Sequence, residues 1–219
     1  MKNIIIAGAS GMVGSIIQRE CLHSEAVSVI TSIVRRPSGI NHPKLKEIVH
    51  QDFLNFSEIK EHFSAQDVAY FCIGAYTGAV ADEKFKIITV DMAQIFADAV
   101  MEGSSEVNFC LLSGAGADPK EKSRVAFARY KGIAENYLIA KGFKGLNIFR
   151  PAYIYPVEKR VEPNLMYRVS RRLYPLLKNV MPGSVITSEE LGKAMFKAGI
   201  EGANHGILEN TEIKKSNRF

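Results

Sequence analysis

The chain of 219 residues is 47% hydrophobic and 23% charged, a balance that excludes a disordered or fibrous chain and allows one self-sufficient core. No apolar run reaches the roughly eighteen residues that span a bilayer, and the opening MKNIIIAGAS is too short for a signal-peptide core. The net charge of +5 comes from scattered basic residues, and Cys21, Cys72 and Cys110 stand singly without metal-ligand spacing, as expected of buried reduced thiols in a cytoplasmic protein.

In chain order, NIIIAG reads as a first strand and residues 12–23 as the helix after it. VSVITSIV is a second strand ending at Arg35-Arg36-Pro37, KEIVHQDF a weaker third and DVAYFCIG a strong fourth. Residues 82–101 have helical periodicity, VNFCLLSG is a fifth strand, 121–141 a helix and LNIFRP a sixth strand. Strands alternating with helices build βαβ units. The expected fold is therefore α/β, a doubly wound parallel sheet with helices on both faces, in one domain over residues 1–219. Across 152–187 the pattern loosens into prolines and basic residues, which suggests loops and short helices covering the sheet's carboxyl edge. SEELGKAMFKAGIEG follows as a helix with Ser188 as N-cap, Glu189 and Glu190 in its first turn and glycine at its end, and GILEN is a last strand.

Gly8-Ala9-Ser10-Gly11-Met12-Val13-Gly14 falls where the first strand meets the first helix. Glycines there let the chain turn tightly and bring backbone N–H groups to a pyrophosphate at a helix N-terminus. The spacing is G-x-x-G-x-x-G rather than the common G-x-G-x-x-G. An NAD site usually adds an acid about 20 residues further on, for the ribose hydroxyls. Here the second strand ends in Val34-Arg35-Arg36 with no acid beside it. Guanidinium groups suit a 2′-phosphate through forked, charge-assisted hydrogen bonds, so NADP(H) is expected over NAD(H).

GASGMVG, Arg35-Arg36, LLSGAGADPK, YKGIAE and IFRPAYIY occur in the order seen in atypical and extended short-chain dehydrogenase/reductases. Over nearly its whole length the chain resembles, more narrowly, the TIP30-like NAD(P)H-binding proteins and their bacterial relatives. The resemblance implies a Rossmann sheet of about seven strands in the order 3-2-1-4-5-6-7. It also implies an epimerase/dehydratase-like cleft closed by the C-terminal segment, and an unidentified small-molecule substrate. By the same resemblance Gly8, Ser10, Gly11, Met12 and Val13 line the pyrophosphate, Arg35 and Arg36 the adenosine phosphate, and Asp52 and Phe53 the adenine. Cys72, Ile73 and Gly74 lie beneath the cofactor, Lys131 holds the nicotinamide ribose, and Pro151 and Ala152 flank the nicotinamide amide.

Reductases of this superfamily pair a tyrosine with a lysine four residues later, and add a serine after strand five. That spacing returns both side chains to one helix face, where the ammonium lowers the phenol's pKa for proton exchange with the substrate oxygen. Here the residue four before Lys131 is Phe127, and the serine position aligns with Gly114. Ser113, one residue early, is a stand-in. Tyr130 is a second candidate, but adjacent helical residues point about 100° apart. Phe127, Tyr130, Ala134 and Tyr137 also form an apolar stripe, so packing is the stronger expectation for Tyr130.

Tyr76, Thr77, Tyr153 and Tyr155 are lesser candidates for the cleft, and Asp91 for support of the lysine. Arg160, Arg168, Arg171, Arg172 and Lys178 read first as a solvated basic segment, then as a site for an acidic substrate. Nucleic acid ranks last, because no aromatic platform accompanies them. The five histidines are too dispersed for a metal site. Three readings remain: an NADP(H)-dependent oxidoreductase with a degenerate motif, a non-catalytic NADP(H)-binding regulator, and a nucleic-acid binder. A monomer or homodimer is expected.

Overall fold

In the computed structural model, residues 1–76, 78–158, 174, 178–202 and 206–216 are described. Strands β1 (Lys2–Ala7), β2 (Val27–Val34), β3 (Leu45–Val49), β4 (Val68–Phe71), β5 (Asn108–Leu112), β6 (Gly145–Arg150) and β9 (Gly206–Glu209) form one sheet in the order β3-β2-β1-β4-β5-β6-β9. All its pairings are parallel. The order reverses between β1 and β4, so their carboxyl ends open a crevice, the usual ligand position in a doubly wound sheet.

Strand side chains alternate between faces, and the apolar residues obey that period. Ile5, Ala7, Ala69, Phe71, Phe109 and Leu111 enter one core, with helix α3 (Met92–Gly103) and helix α4 (Ala126–Lys141) laid against it. Ile4, Ile6, Val68, Tyr70 and Cys110 enter the other. It is covered by α1 (Gly14–His23), α5 (Ser188–Glu201) and α6 (Asn210–Ser216). In the first core, Phe56, Phe63, Phe96, Phe109 and Phe143 pack in a chain of tilted and edge-to-face contacts at ring-centroid distances of 4.8–6.0 Å. Each such buried ring contributes on the order of 2 kcal/mol from its area alone.

Several boundaries differ from the sequence expectation, each for a local reason. The helix expected from residue 121 begins at Ala126. Asp118 draws the N–H groups of Lys120, Lys122 and Ser123 into its carboxylate, and Glu121 is left-handed at φ 59°. The cap of α5 is Thr187 rather than Ser188: Glu190 N–H donates to Thr187 Oγ1 at 3.1 Å, and Thr187 N–H donates to the Glu190 carboxylate at 2.8 Å. This reciprocal box satisfies two otherwise orphaned donors. The helix expected over 82–101 is three pieces, α2 (Asp82–Lys86), a π-helical turn (Ile87–Asp91) and α3. Within the expected 152–187 cover, β7 (Tyr153–Tyr155) pairs in parallel with β8 (Val185–Thr187). Arg160, Arg168, Arg171, Arg172, Thr77 and His205 lie outside the described residues, while Lys178 is exposed.

Candidate cofactor and active site

The glycine loop closes on itself at the crevice. Gly11 N–H donates to Gly8 O at 2.9 Å. Gly8 has φ 93°, and a Cβ there would lie 2.7 Å from the Cys72 carbonyl carbon. A side chain at Gly14 would collide with Gly8 O. Glycine at these positions lets β1, the loop, α1 and the end of β4 approach closely. The N-terminus of α1 has no side-chain cap and no acid in its first turn, although Ser15, Ile16 and Ile17 N–H already donate to Gly11 O and Val13 O; its positive dipole end faces the loop with no negative side chain to oppose an anion.

Two cavities flank the loop. One, of about 780 Å³, is lined by Ala9 and Ser10 of the loop, by Gln18 and Arg19 of α1, and by Arg35 and Arg36. Among the described residues neither Arg35 nor Arg36 has an ion-pair partner, and both are exposed. Gln18 is 4% exposed, and its Oε1 has no hydrogen-bond partner among the described residues. No acid stands beside the arginines in the sequence, but β3 brings one: Glu47 lines this cavity and accepts from Ser38 N–H at 3.0 Å. Its only sequence signal was its place on the neighbouring strand, opposite Ser32. Asp52 and Phe53 line neither cavity. Asp52 accepts from Leu54 N–H at 2.9 Å, and Phe53 is buried against His50 and Phe56.

The second cavity, of about 320 Å³, gathers Gly11, Met12, Val13, Cys72, Ile73, Gly74, Ser113, Gly114, Phe127, Lys131, Pro151 and Ala152. Tyr76 and Tyr153 join them, as does Ile154. Lys131 is 9% exposed and donates to Leu112 O at 3.2 Å. Burial lowers its pKa to about 8, against the opposing pull of Glu135. Burial also pushes the Cys72 thiol up to about 12, which leaves it an inert wall of the cavity.

The three catalytic candidates separate here. Lys131 and Ser113 share the cavity, but the Ser113 hydroxyl donates to the Glu135 carboxylate. Glu135, 1% exposed, is held by Arg150 through hydrogen bonds of 2.5–3.1 Å, and Arg150 also reaches Glu209 at 3.0 Å. Tyr130 is not a lining residue. Its hydroxyl donates to Asp82 at 2.7 Å and its ring packs with Phe85 and Val90. Phe127, four residues before Lys131, lines the cavity, and a Cβ on Gly114 would come within 2.5 Å of its Cζ. The Phe127 ring and the bare Gly114 backbone therefore fit into each other. Asp91 lies in the π-helical turn, and Tyr155 stacks on Tyr174 at 3.8 Å.

Sequence motifs that looked chemical prove partly architectural. Asp118 N–H donates to Ala128 O at 2.9 Å, and a side chain on Gly132 would collide with Asp118 O. The GADPK loop and the KGIAE helix thus interlock. Glu135, Arg150 and Asp82 were missed as partners, because they meet only across elements.

An α/β sheet with a glycine loop at its switch point, an uncapped helix N-terminus and cations at both ends of the crevice defines a dinucleotide-binding Rossmann protein. The chain belongs to the NAD(P)H-binding family, whose model matches residues 8–160. It is similar to the protein HTATIP2 of Rattus norvegicus, 28% identical over 70% of this chain and 63% of that one. It is also similar to the mitochondrial protein fmp52 of Emericella nidulans, 28% identical over 97% of this chain and 93% of that one. Among solved structures it resembles Gre2 of Candida albicans in complex with NADPH, at TM-score 0.71 and 15% identity, over 95% of this chain and 77% of that one. No helix among the described residues is long and apolar enough to cross a membrane.

Proposed function

We propose that the protein is an NADP(H)-dependent oxidoreductase of the short-chain dehydrogenase/reductase type whose tyrosine–lysine motif has lost its phenol. One observation carries this reading: a single glycine loop divides a cavity bearing Arg35 and Arg36 from a cavity bearing Lys131. The residues fit the cofactor. The loop and the uncapped end of α1 take the pyrophosphate, and the two guanidinium groups take the 2′-phosphate. Lys131 holds the nicotinamide ribose, and Pro151 and Ala152 bound the far side. When bound, the cofactor supplies or accepts a hydride. The protein's part is to hold both partners close, keep water out with apolar walls and set a cation beside the reacting ring. Wild-type protein should oxidise NADPH with some acceptor, and Lys131→Ala should abolish that turnover. Undiminished turnover in the variant would contradict the reading.

A second reading is favoured by Phe127 and Gly114 alone: NADP(H) bound as a signal, without turnover. It predicts tight NADPH binding and no oxidation across any acceptor panel. As to location, reduced cysteines suit a reducing compartment, and the cytoplasm is our reading. The fmp52 relatives are named mitochondrial, so cell fractionation decides between the two.

A further inference from the structure

An exposed arginine gives up rotamer freedom when it grips a phosphate, so a site that holds its arginines in place beforehand binds more tightly. Arg35 and Arg36 are exposed and have no ion-pair partner among the described residues. What is fixed is their backbone. On one side, His50 N–H donates to Val34 O at 2.8 Å and Gln51 Nε2 donates to Arg35 O at 2.6 Å. On the other, Ser38 N–H donates to both carboxylate oxygens of Glu47, at 3.0 and 3.2 Å. Pro37, between the two grips, has its φ set by its ring. The Ser38 hydroxyl accepts from Ile40 N–H at 3.1 Å, which folds the segment back on itself. Both grips come from β3 and the residues just after it, and Glu47 and Gln51 line the same cavity as the arginines.

Glu47 is an acid in a cavity with two cations, yet among the described residues it pairs with neither. Its carboxylate is engaged by a backbone N–H instead. As a charge it opposes a phosphate in that cavity, and as an acceptor it holds the segment that carries the cations. On the NADP(H) reading above, we infer that Glu47 and Gln51 are positioning residues. They clamp the Arg35–Ser38 segment, keep the two guanidinium groups at the cavity before the 2′-phosphate arrives, and so set the preference for NADPH. The clamp lies across the glycine loop from Lys131, so it bears on the choice of cofactor and not on hydride transfer. The two roles of Glu47 separate chemically. Glutamine keeps an oxygen that can accept from Ser38 N–H and removes the charge, whereas alanine removes both.

Calorimetry of NADPH and NADH on the wild type and on Glu47→Gln, Glu47→Ala and Gln51→Ala tests the clamp. Glu47→Gln should bind NADPH at least as tightly as the wild type, because the acceptor stays and the opposing charge goes. Glu47→Ala should bind NADPH at least about threefold more weakly than Glu47→Gln, and Gln51→Ala about threefold more weakly than the wild type, the scale of one exposed hydrogen bond. NADH, which has no 2′-phosphate, should change by less than about twofold in every variant, below the value of such a bond. Equal NADPH affinity in Glu47→Gln and Glu47→Ala would overturn the inference. So would an NADH loss that matches the NADPH loss, since that marks a segment damaged as a whole rather than a phosphate clamp released. A wild type that prefers NADPH, with its preference unchanged in the alanine variants, would overturn the clamp alone. A wild type that binds neither cofactor, or both equally, would overturn the NADP(H) reading and the clamp with it.

Discussion

Lys131 is a cation in a place that disfavours charge, and the fold bears that cost. Its pKa lies at about 8 rather than 10.5, chiefly through burial. Below pH 8 the lysine is charged in both folded and unfolded chains, and the cost is present in full. Between about 8 and 10.5 the folded chain releases its proton first, so the cost is relieved as pH rises. Lys131→Met should therefore stabilise the protein at pH 7 by up to about 3 kcal/mol, the equivalent of the shift from 10.5 to about 8. The gap from wild type should close towards pH 10.5. Urea unfolding of both proteins at the two pH values checks this, and a variant less stable at pH 7 would contradict it. Phe127 and Gly114 were legible in the sequence, because each needs only a count along the chain. Glu47 was not legible as a neighbour of Arg35 and Arg36, because a register between strands brings it there.

At the scale of elements, α4 is placed by two contacts that leave no mark on its periodicity. Gly132 lets it rest on the Asp118 carbonyl, and Glu135 ties it to Ser113 after β5 and to Arg150 at the end of β6. A methyl group at position 132 must push backbone against backbone, so Gly132→Ala should cost about 2–3 kcal/mol. It should also weaken NADPH binding, since Lys131 is the residue before it. Denaturant midpoints and titration check both effects, and a neutral substitution would show that the helix can move away. The late start of α4 was hidden from a pattern-based reading, because the Asp118 turn competes with helix for the same N–H groups. The existence of α4 was plain. Its partners, Ser113, Asp82 and Arg150, lie on other elements.

At the scale of the whole molecule, alternating apolar residues in β1, β4 and β5 feed two cores and decide the sheet. This much was legible because strand period and helix period are local. The order β3-β2-β1-β4-β5-β6-β9 then sets the glycine loop over the gap between β1 and β4, with one cavity on each side. The small β7–β8 pairing was not legible, because its strands are three residues each and stand some thirty residues apart. On the function proposed above, this crevice holds NADP(H) with its 2′-phosphate at Arg35 and Arg36. Calorimetry of NADPH and NADH on the wild type and on an Arg35→Ala/Arg36→Ala variant tests it most directly. NADPH should be preferred in the wild type, with at least about tenfold of that preference lost in the variant, the value of one charge-assisted hydrogen bond. Equal affinity for the two cofactors, unchanged by the substitutions, would contradict it.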